Sequence, residues 1–180
     1  MQDEKAFMSE LLNASTREAA FRQLVSQYGK PLYHHIRNIV IDHDDADDVL
    51  QNTFIKVFSN LSGFKGESKL FSWMYRIATN EAITFINQKA KKTGVTNEQV
   101  VQRAVENLTA DDYFEGDALQ LKLQQAVAQL PEKQQLVFKM KYFEDMKYED
   151  MSEILNTSVG ALKASYHHAV KKIEDYINNR

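Results

Sequence analysis

Two stretches of the chain combine cations with residues that can contact a nucleic-acid base. In the first stretch, aromatic rings offer stacking surfaces for unpaired bases, lysines suit a phosphate backbone, and an amide can read a base edge. Packing of a small domain competes for the same aromatic residues, so we expect about half of them to be core residues instead. The members of this set are Lys56, Phe64, Lys65, Lys69, Phe71, Trp73, Tyr75, Arg76, Asn80 and Phe85.

The second stretch lies near the C-terminus and has the pattern of a helix-turn-helix. Residues 148–154 predict a short helix, Asn156 suits the left-handed end of that helix, and Thr157 or Ser158 can cap the next one. A second helix with outward-facing lysines, histidines and a small alanine is typical of major-groove reading, although an ordinary helical hairpin with solvated lysines is the alternative. The residues that lie off its apolar stripe are Lys163, Ala164, His167, His168 and Lys171.

Histidine and aspartate side chains raise a metal-dependent helical phosphohydrolase as an alternative function. A His-Asp pair can hold a divalent cation when other helices supply further ligands. No distant His-Asp set completes such a site in this sequence. The residues that raise this alternative are His34, His35, His43 and Asp44.

Two further metal patterns fail on spacing. The acidic run that begins at Asp42 has Asp47 where a calcium loop needs glycine and Thr53 where it needs glutamate. His167 and His168 are adjacent, so their side chains point about 100° apart on a helix and cannot chelate one metal. The sequence therefore predicts no metal site and no cofactor.

Composition limits the class of protein that carries these residues. The 180 residues include 6 Gly, 2 Pro and 0 Cys, which favours helices and excludes disulfides, thiolate metal sites and a cysteine nucleophile. A net charge of −3 argues against a protein that binds nucleic acid tightly by itself. No apolar run approaches the length of a membrane span, so we expect a cytoplasmic protein without membrane insertion.

The apolar spacing predicts an all-α protein with two small helical domains, residues 1–92 and 118–180. In the first domain, a helix that includes Phe21 is expected to end at Gly29, and Pro31 to begin another; further helices are expected along an apolar stripe from Val49 to Leu61 and over residues 69–89. In the second, helices are expected to begin near Ala118 and at Pro131. Residues 93–117 hold one Arg and six acidic residues and are expected to form a flexible linker, in which a short helix over 100–105 is possible but no core is specified.

Motifs in both domains resemble extracytoplasmic-function (ECF) sigma factors, the small members of the bacterial sigma-70 family. Residues 47–58 (DDVLQNTFIKVF), 64–68 (FKGES) and 72–80 (SWMYRIATN) resemble region 2. Residues 130–135 (LPEKQQ), 148–151 (YEDM) and 158–163 (SVGALK) resemble region 4. The resemblance covers roughly residues 15–92 and 118–178, and the two sets stand in the family's order.

For the first domain, the resemblance implies docking on core RNA polymerase and opening of the −10 promoter element. The matching positions for docking on the β′ clamp helices are Asp47, Asp48, Gln51, Asn52 and Phe54. The matching positions for holding a non-template −10 base outside the stack are Lys56, Asn60, Phe64, Tyr75, Arg76, Ile77 and Asn80.

For the second domain, the resemblance implies reading of the −35 element, contact with the polymerase β flap and no catalytic residue. It also implies an anti-sigma factor as a partner. The matching −35 positions are Lys141, Lys163, Ala164, His167, His168 and Lys171. The alternative is a helix-turn-helix regulator that acts without core polymerase. In such a regulator the aromatic residues of the first domain would have no function.

Overall fold

The computed structural model of the protein describes residues 2–111, 114 and 116–179. Within these residues the chain forms α-helices and two 3₁₀ turns and contains no strand, so the all-α prediction is confirmed. The helices are α1 (Gln2–Leu12), α2 (Arg17–Val40), α3 (His43–Asn60), α4 (Leu70–Thr93), α5 (Asn97–Glu106), α6 (Ala118–Ala128), α7 (Glu132–Tyr142), α8 (Tyr148–Leu155) and α9 (Val159–Asn178).

Helices α1 to α4 form an N-terminal bundle. One of its hydrophobic cores is built from side chains that recur at helical spacing on all four helices, and α1 contributes Leu11 to it. Glu4 on α1 accepts a hydrogen bond from the Leu70 N–H at 2.8 Å, which satisfies one of the free donors at the start of α4. The other buried members of this core are Ala20, Leu24, Val57, Leu61, Leu70 and Met74.

The predicted break at Gly29 and Pro31 is wrong, because α2 runs unbroken through both residues. Proline removes one intrahelical hydrogen bond, but Leu32 and Ile36 are fully buried and hold the helix against α3 and α4. Helix α4 also ends later than predicted. The helix ends at Gly94, which adopts the left-handed conformation at φ +67°. In this conformation the Gly94 N–H donates a hydrogen bond to the carbonyl of Ala90.

Helices α6 to α9 form a C-terminal bundle with its own core, and α6 and α7 begin where the sequence predicts. Pro131 directly precedes the first residue of α7. The helix-turn-helix has the predicted turn, since Asn156 is left-handed at φ 49° and the Ser158 side chain accepts a hydrogen bond from Ala161 N–H. The buried members of this core are Ala126, Val127, Leu130, Phe138, Ala169 and Ile173.

The segment between the two bundles is more ordered than the sequence suggests. Helix α5 begins with a capping box in which Thr96 and Gln99 satisfy each other's backbone donors. Val101 and Val105 lie buried on its inner face, and Leu108 follows them in the next turn. The expectation that no core is specified here is therefore wrong for residues 97–110: the valines are too few to form a core alone, but they complete one that the bundles supply.

The two bundles pack against each other around a shared core. Helix α4 lies against α8, and α2 lies against α7. The shared cluster joins Ile36 and Ala78 of the N-terminal bundle to Met140, Met151 and Ile154 of the C-terminal bundle. The structure is therefore a closed arrangement, in which the first helix of the helix-turn-helix covers one face of α4.

Candidate nucleic-acid interface

An open cavity of about 530 Å³ lies beside the first turns of α4. The 3₁₀ turn after α3 places Phe64 at its edge, where the ring lies 5.0 Å from the Trp73 ring. Aromatic faces with cations around them suit an unstacked base and its phosphate. The cavity, called the α4 cavity below, is lined by Gly63, Phe64, Lys65, Glu67, Ser68, Trp73, Arg76 and Glu153.

Two cations have partners in the C-terminal bundle: Arg76, which lines the α4 cavity, and Lys69, which directly precedes α4. Lys69 Nζ lies 2.7 Å from Asp150 Oδ1, and Arg76 donates to the backbone carbonyl of Glu153. The hydrogen bond that Lys69 donates to Asp150 raises the pKa of Lys69, with a smaller contribution from the negative charge of Glu153. Lys69 stays fully charged at neutral pH, as a phosphate contact requires.

The other predicted −10 residues are spread between the surface and the core. Asn80 is exposed one turn beyond Arg76 on the same face of α4, while Ile77 is half-buried. Tyr75 is only 4 % exposed and packs between the rings of Phe71 (4.1 Å) and His35 (4.9 Å). Burial raises the pKa of Tyr75, and the structure does not bring this side chain into the α4 cavity.

Lys56 and Asn60 lie on the exposed side of α3, away from the lining of the α4 cavity. Lys56 forms an ion pair with Glu81 of α4. The Asn60 side-chain amide donates to the Lys56 carbonyl at 2.8 Å and so completes the end of its own helix. Both side chains remain solvent-exposed at the α3–α4 edge of the bundle.

The predicted docking residues form an exposed strip on α3, with one exception. Asp47, Asp48, Gln51 and Asn52 are exposed, whereas Phe54 is half-buried and packs against the core. Two apolar residues that the sequence reasoning missed continue this strip. Ile55 is 63 % exposed and Phe58 is 41 % exposed, and only this exposure in the structure identifies them as part of the surface. An acidic and apolar strip of this kind suits a partner helix with basic and apolar side chains.

The predicted −35 residues lie together on the outer face of the C-terminal bundle. The five residues of α9 are all exposed, namely Lys163, Ala164, His167, His168 and Lys171. The Lys141 and Lys163 ammonium groups lie 5.5 Å and 5.6 Å from the centre of the Tyr148 ring. A hydrogen bond to Asp145 raises the pKa of Lys141, so the face is positively charged around one aromatic ring.

The sequence reasoning also missed a polar contact between the bundles. His35 is fully buried on α2, and its two ring nitrogens face Glu144 at 2.9 Å and Thr79 at 2.8 Å. Asn38 donates to the same carboxylate at 3.3 Å. His35 and Glu144 are far apart in sequence, and no local pattern links them.

Two of the three histidines that raised a metal site have other partners. His43 lies against Tyr33 and Asp47, and His35 belongs to the contact described above. Across the parts of the chain that the structure describes, no group of three His, Asp or Glu residues has the geometry to hold a metal ion. In the same parts, no helix is both long and apolar enough to cross a membrane.

Two family patterns match the parts of the chain that carry these surfaces. Residues 24–92 match sigma-70 region 2, and residues 120–173 match sigma-70 region 4. The chain belongs to the extracytoplasmic-function (ECF) sigma factors of the sigma-70 family. It is a sigma factor that acts with RNA polymerase, and sigma factors are generally regulators of transcription initiation rather than enzymes.

Curated relatives of the ECF group align along most of both chains. The ECF RNA polymerase sigma-E factor of Haemophilus influenzae is 29% identical over 168 residues, which cover 88% of this chain and 87% of the relative. The ECF RNA polymerase sigma factor SigW of Bacillus subtilis is 29% identical over 156 residues, covering 82% of this chain and 83% of the relative.

Two solved structures share the fold. CnrH in complex with the cytosolic domain of CnrY aligns with a TM-score of 0.68 at 21% identity, over 98% of this chain and 97% of that one. The sigma factor RpoE in complex with the anti-sigma factor NepR from Bartonella quintana aligns with a TM-score of 0.65 at 18% identity, over 88% and 96%. At these identities the likeness supports the fold alone.

Proposed function

We propose that the two bundles divide promoter recognition between them. Residues 1–92 dock on core polymerase and hold the −10 element, residues 118–180 read the −35 element, and residues 93–117 connect them. The observation that carries this proposal is the α4 cavity, which brings Phe64, Trp73, Lys65 and Arg76 together around a space open to solvent. No covalent chemistry is needed, and the chain contributes no catalytic residue.

At the α4 cavity, an unpaired −10 base stacks on the aromatic edge while lysines hold its phosphate. Base–aromatic stacking is worth about 1–3 kcal/mol per base, which offsets a cost of a few kcal/mol for extracting the base from the duplex. Phe64 and Trp73 supply the stacking surface, and Asn80 supplies the amide that can reach a base edge. Lys56, Asn60 and Ile77 lie outside the lining of the α4 cavity and are assigned to more distant −10 contacts, and Tyr75 supports α4 from the core.

Docking on the β′ clamp helices uses the exposed strip of α3. Asp47 and Asp48 steer a basic partner surface, while Gln51 and Asn52 supply hydrogen bonds. We add the exposed Ile55 and Phe58 to this surface, and assign Phe54 to holding α3 on its own bundle. The β flap is contacted by the C-terminal bundle.

At the −35 element, α9 enters the major groove. The exposed Lys163, Ala164, His167 and His168 face the bases, and Lys171 and Lys141 contact phosphates. Two solved neighbours are bound to another protein: CnrH to the cytosolic domain of CnrY, and the sigma factor RpoE to the anti-sigma factor NepR. By analogy we propose that this protein also binds an anti-sigma factor, and that it acts in the cytoplasm.

Co-purification with bacterial core polymerase tests the docking surface. Asp48→Lys combined with Gln51→Lys reverses the charge of the strip and is expected to reduce core binding at least tenfold. The matched control is Asp175→Lys combined with Asn178→Lys, which makes a similar change at the same spacing on the exposed end of α9. Equal core binding by both variants would overturn the docking assignment.

A further inference from the structure

Helix α1 contacts both ends of the loop that lines the α4 cavity. The loop, residues 64–69, contains no helix or strand of its own, so its shape depends on the residues that anchor it on either side. Leu61 precedes it and Leu70 follows it, and both are almost fully buried. Leu11 of α1 belongs to the same hydrophobic cluster as these two anchors. The position of the loop therefore depends on α1 as well as on the helices that the loop connects.

The start of α4 has no cap from its own sequence. Its N-cap residue is Lys69, whose side chain makes no capping hydrogen bond, and its first turn contains no acidic residue. The free N–H groups at a helix start carry partial positive charge and favour an oxygen acceptor or an anion. A lysine side chain supplies neither, because an ammonium group has donors but no acceptor. The acceptor is left to another part of the chain.

Glu4 of α1 supplies this acceptor. Its Oε1 atom accepts a hydrogen bond from the Leu70 N–H at 2.8 Å. Both residues belong to the N-terminal bundle, so the contact needs no residue of the C-terminal bundle. Glu4 lies outside the region 2 match, which begins at residue 24. The cap is thus a feature of this chain that neither the helix it serves nor the matched region contains.

The cap is linked to the aromatic edge of the cavity through the first turn of α4. The Trp73 N–H donates to the Lys69 carbonyl at 3.0 Å, and the Trp73 ring lies 5.0 Å from that of Phe64 at the other end of the loop. A first turn that frays at Leu70 releases both the loop end and the Trp73 backbone. The geometry of the aromatic edge therefore depends on the cap.

We propose that Glu4 is a positioning residue for −10 recognition: by capping α4 from α1, its carboxylate holds the loop in the shape that places Phe64 and Trp73 around the α4 cavity. This inference rests on the proposed function, because it assigns that aromatic edge to an unpaired −10 base. Glu4 touches no DNA and acts through Leu70. Its contribution is to order the loop before the base arrives, which lowers the entropic cost of holding the base.

Two substitutions separate the cap from the charge of Glu4. Glu4→Ala removes the acceptor, whereas Glu4→Gln keeps a side-chain carbonyl oxygen and removes only the charge. The matched control is Glu10→Ala, which removes a carboxylate from another exposed position on the same helix. Glu4 is itself exposed, so none of these substitutions empties a buried site.

Trp73 is a built-in reporter of the loop. It is the one tryptophan in the sequence, and it lines the α4 cavity. Quenching of its fluorescence by acrylamide measures solvent access to the ring in the full chain, without polymerase or DNA. Permanganate reactivity of unpaired −10 thymines, measured with core polymerase, reports promoter opening, and co-purification reports core binding.

We expect Glu4→Ala to raise the quenching constant of Trp73 about twofold, because a frayed first turn exposes the ring. The same variant is expected to reduce promoter opening about three- to tenfold, the range in which loss of a helix cap shifts an equilibrium. Core binding should stay unchanged, since the α3 strip is not altered. Glu4→Gln should recover most of both effects, and Glu10→Ala should match the parent chain.

Three results would overturn the proposal: Trp73 quenching in Glu4→Ala equal to that in Glu10→Ala, a Glu4→Gln variant as defective as Glu4→Ala, or altered quenching with normal promoter opening. Loss of core binding in parallel with opening would also overturn it, because the effect would then be a general loss of structure. If the parent chain itself opened no promoter, the proposed function would fail, whereas the quenching measurement would still decide whether Glu4 holds the loop.

Discussion

The imidazole of His35 and the carboxylate of Glu144 lie 2.9 Å apart, although one belongs to α2 and the other to the turn before α8. The ring is fully buried, and its second nitrogen faces the Thr79 hydroxyl at 2.8 Å. The Thr79 hydroxyl lies 2.7 Å from the Tyr75 carbonyl one turn earlier on α4. This chain of hydrogen bonds ties the two bundles together at a point where a polar group would otherwise be buried alone.

We expect His35→Ala to lower the free energy of unfolding by about 2–4 kcal/mol, because it leaves a cavity and removes one hydrogen-bond partner from each of Glu144 and Thr79. Chemical denaturation monitored by circular dichroism measures this. His34→Ala is the matched control, since His34 is the adjacent residue and is exposed; its effect should stay within about 0.5 kcal/mol. Equal effects of the two substitutions would show that the contact contributes nothing.

Lys139 is expected to destabilise the closed protein at neutral pH. Burial lowers the pKa of Lys139 to about 8, while the unfolded chain keeps a pKa near 10.5. The full penalty, about 3 kcal/mol, therefore applies below pH 8, and stability rises as the pH increases from about 8 to 10.5, where the unfolded state binds more protons.

Lys139→Met should raise the free energy of unfolding at pH 7. It should also remove the part of the increase in stability between about pH 8 and 10.5 that comes from Lys139. Thermal unfolding from pH 7 to pH 10.5 measures both effects. Lys133→Met, an exposed position on the same helix, should change neither. A Lys139→Met protein that is no more stable than its parent at pH 7 would contradict the buried-ammonium account.

Phe64→Ala combined with Asn80→Ala is expected to impair promoter opening at least tenfold while leaving core binding intact, because stacking and base-edge contacts are lost but the α3 strip is unchanged. Permanganate reactivity of unpaired thymines measures opening, and co-purification measures core binding. Equal loss of both activities would mean that the two side chains are structural.

Lys163→Ala combined with His168→Ala is expected to reduce the preference for an intact −35 element by about tenfold, since each lost base contact costs about 1–3 kcal/mol of discrimination. The readout is the ratio of transcription from a promoter with an intact −35 element to that from one with a scrambled element. His34→Ala combined with Lys133→Ala removes the same residue types elsewhere. An unchanged ratio in the α9 variant would contradict the −35 assignment.

Local patterns predicted the helices and the turn chemistry well. Asn156 and Ser158 take the predicted positions because capping depends on a few adjacent residues. The break expected at Pro31 did not occur, since burial of neighbouring apolar residues outweighs the single hydrogen bond that proline removes. Tertiary packing also explains why Tyr75, an exposed base contact by resemblance, is a core residue here.

The surfaces were predictable only where their residues share one helix. The outward face of α9 follows from its apolar stripe, so all five α9 residues of the −35 set were placed correctly on the surface. The contacts of Asp150 with Lys69 and of Glu144 with His35 join residues distant in sequence. They depend on how the bundles pack, which no periodicity in one sequence encodes.

Run-off transcription with bacterial core polymerase tests the central claim most directly. The protein is added to core enzyme and a pool of genomic promoter fragments, and the transcripts are compared with those made by core alone. The account predicts discrete transcripts that require this chain and that diminish with the Asp48→Lys/Gln51→Lys variant. Failure to bind core, with no transcript that depends on the chain, would contradict it.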